Sequence, residues 1–437
     1  MDCVGDESVA MLGSAGAGYS PRNLKITTIG DMLRLKTGNR AKVVSISNKE
    51  RVAILMGGKT GTAYWTEDSV VVSSTYYMKS LPPYISAYNS SGIFQRYYGR
   101  TWTETMPAAA AKICDIDSAW YELPWAGLGR TFPRRITGND TSRITPSYYS
   151  ALGGTPFSTE ILLELARSSV AAESLGTRGV TDMLCVGISA TDIIGHSFGP
   201  NSHEVFDNVL QTDSLLASFF SFLNAKVGLD NCVIALSSDH GIAPIPEYHR
   251  KIFPATDAGR ITSSEISAIA NRVLGNCLSA GQRVPQWVEK VVDCSIYLNA
   301  AYIDSQQIPL DSVMHILRDS LRSIHPFAAA YSRDQILHGT TLDVLGRRVA
   351  LSYYAPRSGD VMVVLKPFYV TGSDGTNHGQ PYDYDTHVPL ILAGKGIRPG
   401  VYTTEVSPVD IAPTLCAFLE LEFPANREGK ILREIVR

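Results

Sequence analysis

MLCVGIS (183–189) runs directly into ATDIIGHSFGPNS (190–202), and CVIALSSDHG (232–241) follows about thirty residues later. Each apolar run of about five to seven residues, broken by Ser, Asp or Gly, has the pattern of a strand covered by helices on both faces. In open α/β sheets, ligand sites lie beyond the carboxyl ends of such strands. There the chain places Asp192 and His196 after the first run, and Asp239 and His240 after the second. Asp192 and His196 are four residues apart, so a helical turn or compact loop brings carboxylate and imidazole to one side. Such oxygen and nitrogen donors suit Zn2+, with Mn2+ or Fe as harder alternatives. An isolated Asp-x-x-x-His more often marks a capped helix start. Two acid–histidine strand ends within one short stretch give the metal reading its weight.

Between the runs, Val205, Val209, Leu215, Leu216, Phe219, Phe220 and Leu223 recur at helical spacing. Strand, crossover helix and strand in this order predict a right-handed parallel unit. Upstream, Ser20-Pro21 reads as a helix start, with apolar spacing to about Thr37, after a Gly- and Ala-rich loop over 1–19. The strand AKVVSIS (41–47) follows and ends on Asn48-Lys49-Glu50-Arg51. At alternate positions of an extended tip, Lys49 and Arg51 point the same way, as a phosphate or carboxylate needs; a solvated turn is the commoner meaning of such a pair. Residues 80–157 are rich in Tyr, Trp and Pro and read as a cap-like insertion or a packed surface excursion. A helix over about 158–174 leads back to Met183.

Residues 250–370 alternate short strands with helices near 262–277 and 311–324, the pattern of a smaller inserted α+β lobe. His249, His315, His325 and His338 are isolated and read as structural or exposed. The closing segment carries His378 and His387 before the strand VPLILAG, then a helix starting near Ser407-Pro408. The fold class expected is α/β: a mostly parallel central sheet with helices on both faces, one catalytic domain over 1–437 bearing the two insertions.

With 44% hydrophobic and 19% charged residues and a net charge of −3, the composition is that of a globular protein without a polyanion-binding signature. No nucleic-acid polymer is expected as a partner. The seven cysteines include no CxxC pair, so neither a zinc ribbon nor a disulfide scaffold is readable. No run approaches the roughly 18 consecutive apolar residues of a membrane span, and the first 30 residues show no signal-peptide pattern.

The ordered motifs are Asp192-x-x-x-His196 with FGPNS, SSDHG (237–241), GTNHG (375–379), YDTHVPLI (384–391) and SPVDIAPTL (407–415). They resemble the alkaline phosphatase superfamily, in particular the branch of bacterial phosphate-irrepressible alkaline phosphatases related to nucleotide pyrophosphatase/phosphodiesterases. SPRNL (20–24), NKER (48–51) and AYW (63–65) fit this branch. The resemblance implies hydrolysis of small phosphate monoesters by two zinc ions, one held by Asp192, His196 and His378 and the other by Asp239 and His240. It prefers His378 to His387 as the ligand and gives Lys49 and Arg51 the non-bridging phosphate oxygens.

It further implies an export signal and a periplasmic or secreted location. A first core strand ending in one more zinc-ligand Asp, then a Thr or Ser nucleophile, are also implied, and these would lie before residue 1. The chain alone is therefore expected to be weakly active or inactive. The alternatives are a phosphodiesterase or nucleotide pyrophosphatase, and a non-catalytic metal- or phosphate-binding pseudoenzyme. A sulfatase or a cofactor-independent phosphoglycerate mutase fits the motifs less well.

Overall fold

The computed structural model describes residues 3–279, 286–339, 342–422 and 428–436. The N-terminal stretch is not a loop: β1 (Gly5–Leu12) and β2 (Ala17–Tyr19) pair as an antiparallel hairpin. Its alternation is weak because Gly and Ala occupy inward and outward positions alike, and Asp6 fastens it by accepting from Ser8, Ser20 and Arg22. The helix expected from Ser20 also begins later. Ser20 caps only a single 3-10 turn, whereas Thr28 and Asp31 form a reciprocal capping box that starts α1 (Ile29–Lys36).

Next come β3 (Val43–Ser47), α2 (Glu50–Gly57), β4 (Thr62–Glu67) and β5 (Val70–Ser74). After the aromatic-rich segment, α3 (Pro156–Glu173) leads to β6 (Met183–Gly187), α4 (Ala190–Phe198), α5 (His203–Lys226) and β7 (Val233–Ser237). The central sheet has the order β2-β1-β5-β4-β3-β6. It is mixed: β3 pairs parallel with β4 and β6, while β1 with β2, β1 with β5 and β4 with β5 are antiparallel. Val44 and Ile46 of β3 pack with Ile161, Leu162 and Leu165 of α3, whereas a Cβ on Gly57 of α2 would meet Ser45, so helices cover both faces.

The parallel unit expected from β6 through α5 to β7 does not close. β7 pairs antiparallel with β8 (Leu390–Gly394), and among the described residues it makes no ladder with β6. The two acid–histidine strands thus stand in separate sheets.

Residues 80–157 contribute Tyr88, Phe94, Tyr97, Trp102 and Tyr148 to the core cluster that contains Ile46. Trp120, by contrast, is exposed. The segment between β7 and β8 has a core of its own, built from an antiparallel sheet of Val288–Val292, Ser295–Leu298, Val361–Leu365 and Phe327–Ser332. Helices Ser263–Leu278 and Leu310–Leu321 pack on it through Ile266, Leu274, Val313 and Leu317. The last helix, α6 (Ile411–Phe418), follows a capping box between Ser407 and Asp410. No helix of the described residues is long and apolar enough to cross a membrane.

Candidate metal centre

α4 starts three residues after β6 ends, which puts Asp192 in its first turn and His196 in its last, on one face. His196 Nε2 lies 3.2 Å from Asp192 Oδ1. Two further imidazoles reach the same oxygen from other parts of the chain: His378 Nε2 at 3.6 Å and His240 Nε2 at 3.8 Å. Donor atoms of Asp192, His196 and His378 all lie within 4.8 Å of one another. The His240 and His378 rings stack with centroids 3.4 Å apart.

Backbone carbonyls set the orientation of two of these rings. His196 Nδ1 faces the Thr376 carbonyl and His240 Nδ1 that of Gly241, each at 2.8 Å. A ring that donates Nδ1–H to a carbonyl turns its Nε2 lone pair the other way, the usual support of a metal-bound histidine. Here the lone pairs face a carboxylate oxygen that is buried and has no hydrogen-bond partner. Acceptors facing acceptors require a proton or a cation between them, so the donor set fits a metal of Zn2+ type.

The charge states agree with this geometry. Burial opposes ionisation of Asp192, yet the contacts from His196 and Lys49 prevail and hold its carboxyl well below the ordinary range. The adjacent Asp192 carboxylate raises His196, partly offset by burial. Burial, then the neighbouring His240 and His196, push His378 down to about 4, so its imidazole is neutral at physiological pH.

Lys49 Nζ meets Asp192 Oδ2 at 2.5 Å, which places it at the cluster. Arg51 is not placed there. α2 begins at Glu50, so Lys49 is an N-cap with extended backbone and Arg51 a helical residue, half exposed and 3.5 Å from Glu50. Two residues apart across a helix start, the side chains diverge instead of pointing together as on an extended tip. Asp239 approaches His240 Nε2 at 3.4 Å but has a side chain 78% exposed. His387 is exposed at the end of the short helix Asp383–Thr386, outside the Asp192 group. His249 is buried against Phe368, and His315 and His325 pair with Asp334 and Asp257. The orienting carbonyls of Thr376 and Gly241 were not readable beforehand, because every residue carries such a group.

A family model described as type I phosphodiesterase / nucleotide pyrophosphatase matches residues 29–388. Alkaline phosphatase PhoV of Synechococcus elongatus is 30% identical over 459 residues, covering 100% of this chain and 78% of that protein. A Myroides odoratus protein named calcium-transporting ATPase is 31% identical over 447 residues, covering 100% of this chain and 80% of that protein. The crystal structure of wild-type alkaline phosphatase PafA superposes with a TM-score of 0.90 at 28% identity, covering 100% of this chain and 83% of that one. Fold and motif order together define a class of α/β proteins whose chemistry is metal-dependent phosphoester hydrolysis. The chain belongs to the type I phosphodiesterase / nucleotide pyrophosphatase family, within its alkaline phosphatase branch.

Proposed function

We propose that this chain forms the metal-binding core of an exported phosphomonoesterase that acts on small phosphorylated substrates with two zinc ions. The convergence of three imidazole Nε2 atoms on the unbonded Asp192 Oδ1 carries this assignment. Asp192, His196 and His378 hold one ion, and Asp239 and His240 contribute to the other. Zinc bound there supplies Lewis acidity to a phosphoryl oxygen and lowers the pKa of an oxygen nucleophile. Lys49 holds its ammonium beside the carboxylate and offers it to non-bridging phosphate oxygens; Arg51 joins it only by swinging in from the surface. Two cations suit a monoester, whose terminal phosphoryl group carries more charge than a diester.

The hydroxyls nearest Asp239 are committed elsewhere: Ser237 Oγ donates to the Ser238 carbonyl and Ser238 Oγ to that of His240. Neither is a nucleophile in this proposal. The discriminating experiment loads the purified chain with Zn2+, counts bound metal, and measures aryl phosphate monoester and diester hydrolysis. Bound zinc with faster hydrolysis of the monoester than of the diester is the expected result. Absence of bound zinc would refute the metal assignment, and preferential diester cleavage would favour the phosphodiesterase alternative.

A further inference from the structure

The loops that carry His240 and His378 are laced together at two places: ahead of His378, Ala243 donates its amide to the Asn377 carbonyl and accepts from the Thr376 hydroxyl, and beyond both histidines one residue outside the ligand set, Asp385, bonds each loop. The Asp385 carboxylate accepts from the Gln380 amide at 2.7 Å and also from the Gly379 amide, fixing the chain just after His378. Its own carbonyl accepts from the Gly241 amide at 2.7 Å, fixing the chain just after His240. The approach is close: a Cβ at position 241 would lie 2.2 Å from the Tyr384 carbonyl oxygen, so only Gly fits. Asp385 is itself only 4% exposed, and its Oδ1 is buried without a partner. On the far side, the Gln380 side chain bonds the Leu365 amide and Cys294 Sγ, so the His378 loop is also tied to the inserted lobe.

We infer that Asp385 is a positioning residue that sets the separation of His240 and His378, its side chain clamping one histidine loop and its backbone the other. The inference rests on the proposal that these histidines hold a metal. Metal–ligand distances tolerate errors of about 0.2 Å, and partners that orient ligands typically change metal affinity 10–100-fold when removed. Without the carboxylate, the Gly379 and Gln380 amides lose their acceptor and His378 loses its registration to Asp192 Oδ1 and His240.

The test titrates the full chain with Co2+, read by visible absorption, and with Zn2+ in competition with a chelator. It uses the wild type, Asp385→Ala, Asp385→Glu and Asp385→Asn. The Ala and Glu variants are expected to bind about 10–100-fold more weakly with an altered Co2+ spectrum. Asp385→Asn keeps an acceptor oxygen and is expected to recover most of the affinity. Asp385→Glu retains charge and acceptor but displaces the loop by one methylene, so it decides the matter where the Ala variant folds poorly. Wild-type affinity in Asp385→Glu and Asp385→Ala would overturn the positioning role, as would an Asn variant as weak as Ala. If the wild type binds neither metal, the metal-site proposal fails, and the imidazole 15N resonances of the metal-free protein decide the positioning role. Those of His240 and His378 must shift in Asp385→Glu while that of His315 stays; no shift overturns it.

Discussion

β3 and β7 have nearly the same composition, VVSIS against VIALS, but opposite surroundings. All five residues of β3 are buried; in β7 none is, and Ala235 in its centre is exposed. β6 lies between these extremes, with only Cys185 buried. Neighbours account for the difference. β3 is bonded on both edges, whereas β6 and β7 each have one bonded edge among the described residues, although both run toward the same cluster of Asp192, His240 and His378. A strand bonded on one edge presents a free row of donors and acceptors, and a buried parallel-type strand is too apolar to do so without exposing its faces. The covered strand stabilises the fold, and the uncovered strands bring together the carboxylate and imidazoles of the candidate metal centre.

The contrast predicts unequal mutational costs. Ile46→Ala in β3 removes a fully buried side chain and is expected to destabilise by about 2–5 kcal/mol in urea unfolding. Leu236→Ala in half-buried β7 is expected to cost less than half as much. Equal losses would mean that β7 is covered in solution by something the sheet order does not show.

Metal should narrow the gap. The proposed ligands sit at the ends of β6 and β7 and on the loop before β8, so an ion ties together elements that backbone ladders leave apart. Zn2+ at 100 to 1,000 times its dissociation constant would add about 2.7–4.1 kcal/mol by mass action. Amide exchange should slow in β6 and β7 at least as much as in β3, and a chelator should reverse the effect. Protection gained mainly in β3 would sink the link between ligand binding and the open strands.

The legibility of the fold divides along the same line. β3, β6, β7, α5 and the lobe helices were readable because each carries its apolar run or period in its own residues, and the Asp192–His196 spacing is a property of one helix. The β1–β2 hairpin was not, since Gly and Ala leave no alternation to read and its anchor is the side-chain network of Asp6. The separation of β6 from β7 was also hidden, because pairing belongs to a strand's neighbours and not to its own residues. Within the site, the proposed ligands are singled out by residue type, whereas the divergence of Lys49 and Arg51 depends on where α2 starts, and boundaries are the least determined part of a sequence pattern.

Among the buried carboxylates of the described residues, Glu122 sharpens the comparison with the smallest effect. Glu122 is 2% exposed, and its Oε2 has no hydrogen-bond partner. It sits where the aromatic-rich segment docks on the end of α4, beside the amide of Leu123 that donates to the Ser197 carbonyl. Burial, then the charge of Glu204, pushes its pKa up to about 9 from 4.5, with Arg134 opposing. Between these values the folded chain holds a proton that the unfolded chain has released, so stability falls as pH rises from about 4.5 to about 9 and then levels off. Glu122→Gln keeps the shape and abolishes the titration. At pH 9, in a chelator to exclude metal, it is expected to exceed the wild type by about 1–3 kcal/mol, with little difference near pH 5. Urea unfolding across that range gives both profiles. Parallel curves would show that Glu122 ionises freely and that the core there is open to water, which would weaken the contrast between the covered and the uncovered strands.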